Sequence, residues 1–486
     1  MSPTQERTPF PKGHVKIGSV EPFLPWICDM KIDMNEQLHA MVVGRAGSGK
    51  SKLLEARFIE GFNKGETVGI VEPHHDLSFD TITFLISQGI FNDEKTFQEL
   101  VYLDFGNGAF VPLNILAGDK SDFHTIALNA LDAMTRVWPD LNEAPMFQTL
   151  FLSAVTALIL NDMPITFLHK IITDEEYRFT CLKVVKDETV LDTFTWYGSL
   201  RPSEQAVQAG SLIRRAHLLA FNPIARYSLS QPECLDFRRM MDEGISFIIN
   251  LGNIKDDQTR KILGAMVMVL IEHAALSRTD LLPEERRPVT VLVDEWTSFA
   301  AQEKTISTVL SQCRKFNLRI WLANQSLSQV PTHRLIGAME NCRLTVVFGV
   351  GRNSAEIEAK QIGNVDPLAV KEEGLTETKH AQYLSIMEQY EMWTQELTNL
   401  DPRIAYYKLH NKPAVKFKTK NVPSPRVDHK ELHRVLDTYK RLYQRTEEQI
   451  SELGKKKPSI QILRYDETTN SFDGFSTPLE PEQIDS

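Results

Sequence analysis

The feature that most constrains the fold is a glycine-rich turn at residues 44–51, between a predicted strand and a predicted helix. Residues 39–43 are apolar enough for a short buried strand, and residues 52–58 have helical periodicity. The turn fits the pattern G-x-x-x-x-G-K-[ST]. Its residues are Gly44, Arg45, Ala46, Gly47, Ser48, Gly49, Lys50 and Ser51. In this setting the pattern predicts a phosphate-binding loop.

The residue types of the turn explain how it would bind a polyphosphate. Its glycines allow backbone angles in which consecutive N–H groups curl around phosphate oxygens, and the following helix N-terminus adds positive charge. We expect Lys50 to reach the β- and γ-phosphates and the Ser51 hydroxyl to ligand Mg²⁺. A chance match in a surface turn is the alternative. The strand–turn–helix context favours nucleoside triphosphate binding, with ATP and Mg²⁺ as the expected cofactors.

Length and composition indicate a soluble protein of more than one domain. The chain has 486 residues, of which 42% are hydrophobic and 24% charged. No uninterrupted apolar run approaches the roughly 20 residues of a membrane-spanning helix, and the polar N-terminus lacks the core of a signal peptide. The five cysteines are scattered and show no C-x-x-C spacing. We therefore expect a reducing cytoplasm, with any membrane recruitment supplied by a partner.

The formal net charge of −10 does not favour a protein that coats nucleic acid. It leaves a DNA motor open, because a ring can confine its basic residues to a narrow pore while its outer surface stays acidic. Charge alone does not decide between these classes.

The next elements indicate a parallel sheet. A second buried strand begins at Thr67 and ends in polar residues that include His74 and His75, and a third covers residues 100–105. Strands alternating with helices are typical of parallel sheets, whose carboxyl edge is where ligands bind. The two histidines have two open interpretations, solvation of a loop or a role near the nucleotide.

Residues 121–240 are predicted to form a helical domain inserted in the sheet. Residues 123–137, 145–160 and 203–219 carry apolar residues at helical spacing, and β-branched runs are scarce. Five arginines give its end a basic character: Arg214, Arg215, Arg226, Arg238 and Arg239. We favour a solvated helix face over a DNA contact for these residues.

The second half of the nucleotide site follows the insert. After a strand at 245–251 and a long apolar helix at 257–277, residues 289–293 form a buried strand that ends in Asp294 and Glu295. A phosphate-binding loop needs a metal-holding acid on a neighbouring strand. We expect Asp294 to hold the Mg²⁺ shell and Glu295 to act as general base for the attacking water.

Further candidates lie around two later strands. Gln325 stands at the carboxyl end of a strand at 318–324, where it can sense the γ-phosphate or orient the lytic water; capping of the strand end is the alternative. Arginines near strand edges can act on a neighbouring subunit's nucleotide as fingers. The candidates are Arg314, Arg343 and Arg352, and each has a structural role as its alternative.

In this order the elements resemble the HerA/FtsK superfamily of ring ATPases, above all the conjugative coupling ATPases and HerA-like translocases. The similar segments follow one another along roughly residues 38–420. They are 44–51, 71–77, 102–104, 112–114, 291–295, 313–318 and 323–329. The last two, Cys313-Arg314-Lys315-Phe316-Asn317-Leu318 and Ala323-Asn324-Gln325-Ser326-Leu327-Ser328-Gln329, discriminate best.

The resemblance implies an α/β fold, a RecA-like P-loop NTPase with a mostly parallel sheet and an inserted all-α domain. It also implies a homohexameric ring that hydrolyses ATP to drive DNA, expected to be duplex, through its pore. A relaxase, a nuclease or a secretion channel would be its partner. Two departures stand out: Glu72 replaces the family's usual Asp, and no transmembrane anchor precedes the motor.

The predicted division has five parts. They are a lead-in (1–37), the first part of the nucleotide-binding domain (38–120), the helical insert (121–240), the second part (241–422) and a tail (423–486). Residues 12–18 could add an edge strand, and the sheet pattern fades after a strand at 404–409. In the tail, residues 428–453 indicate one polar helix, 454–458 a basic linker, and 468–486 an acidic segment that orders on binding.

The expected function is an ATP-hydrolysing DNA translocase of the conjugation or type IV secretion kind. Two other functions stay open at this point: a viral genome-packaging ATPase, and a nucleotide-dependent scaffold that assembles a ring without translocation. The pairing of Asp294 with Glu295 weighs against the scaffold, since a switch needs no general base.

Overall fold

The structure is a computed structural model that describes residues 14–20, 28–33, 39–298, 310–326, 340–372, 382–410, 412–453, 465–466 and 471–472. Three predicted features therefore lie largely or wholly outside the described residues. They are the basic linker at 454–458, most of the acidic segment at 468–486, and the end of the motif at 327–329.

The described strands are numbered in chain order. They are β1 His14–Val20, β2 Cys28–Asp33, β3 Ala40–Val43, β4 Thr67–Glu72, β5 Leu100–Asp104, β6 Ser246–Asn250, β7 Val289–Val293, β8 Leu318–Asn324, β9 Leu344–Val347, β10 Val370–Glu372, β11 Gln382–Tyr383, β12 Ile404–Leu409, β13 Val415–Thr419, β14 Tyr465–Asp466 and β15 Ser471–Phe472.

The described α-helices are numbered in the same way. They are α1 Lys50–Asn63, α2 Asp76–Ser87, α3 Thr96–Glu99, α4 Phe123–Val137, α5 Pro145–Leu160, α6 Leu168–Thr173, α7 Glu175–Leu182, α8 Glu188–Ser199, α9 Pro202–Phe221, α10 Pro223–Leu229, α11 Phe237–Glu243, α12 Asp257–Leu276, α13 Arg352–Ile362, α14 Ile386–Thr398, α15 His429–Tyr443 and α16 Glu447–Leu453.

One sheet organises the molecule, with strand order β2-β1-β13-β12-β9-β3-β8-β7-β4-β6-β5 in the described part of the chain. The run from β9 to β5 is parallel, and the strands on the β12 side of β9 pair antiparallel. Strands β3, β4, β5, β6, β7 and β8 are buried at every position, as expected for a parallel sheet covered on both faces. The prediction of a mostly parallel α/β sheet is confirmed.

Strand β3 lies between β8 and β9, so the loop after it opens in the middle of the carboxyl edge. Val43 at its end is in register with Asn324 of β8 and with Val347 of β9. On the far side of β8, β7 is followed by β4. The carboxyl ends of β3, β8, β7 and β4 therefore meet at one place.

Between β5 and β6 the regular elements are helices, α4 to α11 with short 3₁₀ turns. Both ends of this insert pack against α12. Arg136 of α4 forms a buried bidentate ion pair with Glu272 of α12, and Phe237 of α11 packs edge-on against Phe247 of β6. The insert is therefore anchored to the sheet layer through α12 and β6.

The sheet continues beyond the strand at 404–409, although its sequence pattern fades there. The strand predicted at 12–18 is present as β1, with β2 rather than β1 at the edge of the sheet. Strand β13 pairs with β12 and with β1, and β1 pairs with β2, so part of the predicted lead-in extends the same sheet. In β13 a buried Phe417 is followed by an exposed Lys418. An antiparallel strand with one wet face can carry lysines, and its apolar pattern is correspondingly weak.

The single helix predicted at 428–453 is instead two helices, α15 and α16, separated at residues 444–446. The backbone of Arg445 leaves the helix to form two hydrogen bonds with Phe110, at 2.9 and 3.1 Å, and its guanidinium forms a buried ion pair with Glu233. Helix α15 packs beside β5, where Tyr439 donates to the Leu100 carbonyl at 2.6 Å. The tail thus covers an edge strand.

Candidate nucleotide site

The loop that follows β3 has the backbone shape that its glycines predict. Helix α1 begins at Lys50, and its N-cap, Gly49, has φ +110°, which strains any residue with a Cβ. A Cβ on Gly44 would lie 2.5 Å from the Ser48 Oγ and 2.6 Å from the Phe348 Cβ. Both positions therefore require glycine, one for its φ and one for its space.

Three neighbouring segments hold this loop in place. Gly44 N donates to the Asn324 carbonyl at 3.2 Å, and Arg45 N donates to the Gly349 carbonyl at 2.8 Å. On the other side, Arg403 N donates to the Ser48 carbonyl at 2.7 Å. Sequence reasoning missed Arg403, because the signal is its left-handed backbone (φ +69°), which the residue type does not reveal.

Lys50 stands at the centre of the site and is buried. Burial lowers the pKa of its ammonium, and the negative charges of Asp294 and Glu295 partly offset that effect. Among the described residues, no hydrogen bond from Lys50 Nζ is present. The Lys50 ammonium is therefore partly desolvated, and it is stabilised by the nearby charges of Asp294 and Glu295. A bound phosphate would add a further negative charge beside it.

Asp294 and Glu295 follow β7 at the same edge. Asp294 N donates to the Val71 carbonyl at 3.1 Å, and the Asp294 carboxylate accepts from Glu295 N at 3.0 Å. Glu295 has a left-handed backbone, with φ +44°, which is a strained conformation for a non-glycine residue. Burial, and then the charge of Asp294, raise the pKa of Glu295. A carboxyl with a raised pKa at such a position suits a general base.

Ser51 and Asp294 are chemically suited to a magnesium ion. Hydroxyl and carboxylate oxygens are the ligands that Mg²⁺ prefers, and it usually takes only one or two carboxylates together with phosphate oxygens. Ser51 lies in the first turn of α1 and is half-buried. No group of three or more His, Cys, Asp or Glu that could hold a metal by itself exists in the part of the chain that the structure describes.

Glu72, the departure from the family pattern, has a clear structural place. Its two carboxylate oxygens accept from Leu77 N at 2.8 Å and Ser78 N at 2.5 Å, so it caps the first turn of α2. Burial, opposed by these bonds and reinforced by the charge of Asp294, raises its pKa to about 7. Glu72 thus holds the turn after β4 and lies close enough to Asp294 for the two carboxyl groups to interact electrostatically.

Gln325 lies at the mouth of a cavity beside the phosphate-binding loop. The cavity has a volume of about 430 Å³, and it is lined by Arg45, Ala46, Gln325, Ser326, Gly351, Arg352, Asn353 and Ser354. It therefore brings together the ends of β3, β8 and β9. The main-chain N–H of Gln325 acts on the Glu295 carboxylate by opposing the rise of its pKa. The structure thus places the sequence-predicted Gln325 next to the predicted general base.

The three candidate arginine fingers lie at two opposite edges of the sheet, the amino ends and the carboxyl ends of its parallel strands. Arg314 and Arg343 precede β8 and β9, so they lie at the amino ends of parallel strands, away from this chain's own loop. Arg352 begins α13 and lines the cavity, where its guanidinium pairs with Glu356 and Glu391. Arg314 and Arg343 therefore have no role in the site of their own chain, and a role toward a neighbouring subunit stays a prediction.

His75 belongs to a polar cluster at the neighbouring strand ends rather than to the phosphate loop. Its Nδ1 lies 2.6 Å from Asn250 Nδ2, and Asn253 donates to both oxygens of Asp104 at 2.8 and 2.9 Å. His74 is exposed. His74 is therefore a solvated loop residue, and His75 has a packing role.

Three of the basic residues of the insert are neutralised within the chain. Arg215 pairs with Asp140, Arg238 with Asp242 and Asp280, and Arg239 with Glu243. These contacts agree with the preference for a structural or solvated face over a DNA contact.

One described helix is long and apolar enough to cross a membrane by length and composition. It spans Asp257–Asp280, and 67% of its apolar window is buried inside the protein. Because α12 packs against the helices of the insert and most of its apolar window is buried, its apolar character is that of a core helix.

The fold and the site together define a P-loop NTPase with a RecA-like sheet and a helical insert. No protein-family model matches the sequence, and no curated protein matches it. Solved structures do match. The unbound monoclinic form of the bacterial conjugative coupling protein TrwBΔN70 is 16% identical, with a TM-score of 0.59; the match covers 86% of this chain and 95% of that one.

Two nucleotide complexes of the plasmid coupling protein TrwB share the same fold. The complex with the non-hydrolysable GTP analogue GDPNP is 18% identical, covers 80% of this chain and 88% of that chain, and has a TM-score of 0.56. The complex with ADP and Mg²⁺ is 17% identical, covers 80% and 87%, and has a TM-score of 0.52. The resemblance to the coupling proteins is therefore confirmed at the level of fold.

Proposed function

We propose that this protein is an ATPase that binds ATP with Mg²⁺ and hydrolyses it to translocate DNA, as a motor of the conjugation or type IV secretion kind. The observation that carries the proposal is the meeting of Lys50, Asp294 and Glu295 at one carboxyl edge. It supports hydrolysis as well as binding, because Glu295, the proposed general base, lies beside the phosphate loop.

Each residue of the site has a distinct task. The N–H groups of residues 44–51 and the start of α1 bind the phosphates, Lys50 neutralises their developing charge, and Ser51 and Asp294 would hold Mg²⁺. Glu295 accepts a proton from the attacking water, and Gln325 orients that water or contacts the γ-phosphate. The metal supplies charge stabilisation when bound.

Translocation and ring assembly rest on the likeness in fold to TrwB, a conjugative coupling protein that has been solved with an ATP analogue and with ADP and Mg²⁺. We propose a homohexamer that drives duplex DNA and receives its substrate from a relaxase, a nuclease or a secretion-channel partner. A cytoplasmic location with recruitment by that partner belongs to the same proposal.

The test is ATP turnover of the purified protein with and without duplex DNA, at low and moderate salt. Lys50→Ala is the blank, and Glu295→Gln is the variant that separates binding from hydrolysis. We expect stimulation by DNA that weakens as salt rises, because phosphate contacts release counterions. Glu295→Gln should bind nucleotide and turn over about 10²–10⁴-fold more slowly.

The other outcomes are equally informative. Turnover that ignores DNA would remove translocation of naked duplex from the proposal and favour a partner-activated motor. Negligible turnover together with nucleotide-dependent assembly would favour the scaffold. Wild-type turnover by Glu295→Gln would remove Glu295 from its role.

A further inference from the structure

Asn324 ends β8 at the point where the phosphate loop, the acidic pair and Gln325 meet. The neighbours of β8 in the sheet are β3, which is followed by the phosphate loop, and β7, which is followed by Asp294 and Glu295. The residue is only 2% exposed. A buried amide must satisfy both a donor and an acceptor group, so its partners report what it does.

The contacts of Asn324 reach the phosphate loop, Gln325 and the turn that follows the acidic pair. Its main-chain carbonyl accepts from Gly44 N at 3.2 Å, so the backbone of Asn324 is bonded to the phosphate loop. Its side-chain Oδ1 accepts from Gln325 N at 2.9 Å and from Thr297 Oγ1 at 3.5 Å. Its Nδ2 donates to the Ser326 carbonyl at 3.0 Å.

These contacts fix the two groups that handle the attacking water. Thr297 lies in the 3₁₀ turn Trp296–Ser298, directly after Glu295. The Gln325 main-chain N–H, which donates to Asn324 Oδ1 at 2.9 Å, also lowers the pKa of the Glu295 carboxylate, against the effect of burial. Asn324 therefore contacts both the peptide group of Gln325 and the turn that follows Glu295.

Only an amide meets these demands at this place. An aspartate of the same shape would keep the acceptor but lose the bond to the Ser326 carbonyl, and it would add a third negative charge beside Asp294 and Glu295. A leucine would fill the space but satisfy neither Gln325 N nor Thr297 Oγ1.

We propose that Asn324 is a positioning residue for hydrolysis, which aligns Gln325 with Glu295 and leaves nucleotide binding to the phosphate loop. This inference rests on the proposed ATPase function. If the inference is correct, substitutions at Asn324 lower kcat and leave ADP affinity unchanged, because ADP is bound by residues 44–51. A misplacement of about 1 Å at such a position can cost about 10²-fold in rate.

The experiment measures kcat and KM for ATP, the Kd for ADP and the melting temperature for Asn324→Asp and for Asn324→Leu. We expect kcat to fall about 10–100-fold, with ADP affinity within about threefold of wild type. If ADP affinity falls as far as kcat, or if kcat is unchanged, the inference is overturned.

A second pair of variants guards against simple misfolding at the buried position. Thr297→Val removes the hydroxyl that contacts Asn324, and Thr297→Ser keeps it. We expect Thr297→Val to lower kcat a few-fold and Thr297→Ser to keep it near the wild-type value, because only the hydroxyl contacts Asn324 Oδ1. Equal rates in both variants would overturn the inference.

The proposed function and this inference fail in different ways. If the wild-type chain shows no turnover under any condition, the ATPase proposal fails and takes the inference with it. If the wild-type chain hydrolyses ATP and the Asn324 and Thr297 variants do so equally well, only the inference fails.

Discussion

Helix α1 carries two buried cations, and they have opposite surroundings. In the middle of the helix, about two turns from Lys50, Arg57 donates to both oxygens of Glu66 at 2.7 Å. Thr290 Oγ1 adds a third bond to Glu66 at 2.6 Å, and Arg319 lies 3.4 Å from the same carboxylate. Lys50 has acids nearby and no hydrogen-bond partner in the described part of the chain.

This contrast distinguishes a structural charge cluster from a functional one in the same sheet. Around Glu66 the protein's own donors fill the carboxylate, and the guanidinium of Arg57 lowers the pKa of Glu66 against the effect of burial. Lys50 instead faces Asp294 and Glu295 through charge and forms no bidentate ion pair among the described residues, and burial together with the charge of Asp294 raises the pKa of Glu295. In the first cluster the protein itself supplies the donors to the Glu66 carboxylate, whereas in the second the charged groups lie beside the phosphate-binding loop.

The largest expected effect comes from removing Lys50. Lys50→Ala should lower turnover by about 10²–10³-fold or more, because it deletes the charge opposite the phosphates. It should leave the nucleotide-free protein as stable as wild type, since a desolvated cation without hydrogen bonds adds little to folding. ATPase assays and thermal unfolding without nucleotide measure both.

The matched control is Lys52→Ala, two residues along the same helix. Lys52 Nζ is 2.6 Å from Asp80 and 2.8 Å from Glu55, so it serves α2 and its own helix. Turnover should survive this change. A loss of activity as large as that of Lys50→Ala would contradict the distinction between the loop and the body of the helix.

Glu66→Ala tests the structural charge cluster around Glu66. Removing the acid leaves Arg57 buried and unpaired, so we expect a loss of about 3–5 kcal/mol in the free energy of unfolding. Turnover per folded molecule should stay near the wild-type value, because no part of this cluster reaches the phosphate loop. Urea unfolding and activity at low temperature measure the two.

A double-mutant cycle with Arg57 tests whether the pair acts as a unit. Once Glu66 is gone, Arg57→Ala should cost much less than it does alone, since the two share one interaction. Additive losses would show that the ion pair is not the unit of stability.

A change at Glu358 of α13 should have a smaller effect. It tests whether a buried ionisable group without hydrogen-bond partners is enough to indicate a functional site. Glu358 is fully buried, neither carboxylate oxygen has a hydrogen-bond partner among the described residues, and burial raises its pKa to about 8. It does not line the cavity beside the phosphate loop. Glu358→Met should stabilise the protein by about 1–3 kcal/mol without changing turnover.

The sign of the pH dependence follows from that raised pKa. As pH rises from about 4.5 toward about 8, the folded state keeps a proton that the unfolded chain releases, so wild-type stability falls. Glu358→Gln should remove this slope, so its advantage in melting temperature should be larger at about pH 8 than at about pH 5. An advantage independent of pH would contradict the assignment.

The phosphate loop, the acidic pair after β7, Gln325 and the parallel part of the sheet could all be predicted from the sequence alone. These are local signals: glycine at strained positions, continuous apolar strands, and polar residues where strands end. They can be recognised in a short window of sequence because their chemistry depends on adjacent residues. The assignment of catalytic roles and of domain boundaries remains a prediction.

Which side chains meet could be read only from the tertiary structure. The buttress from Arg403 to Ser48, the break of the C-terminal helix at Arg445 and the pairing of β13 with β1 each join residues far apart in the chain. Such contacts come from strand order and packing, and no local periodicity encodes them. The same holds for Asn324, whose importance lies in the three segments that it touches.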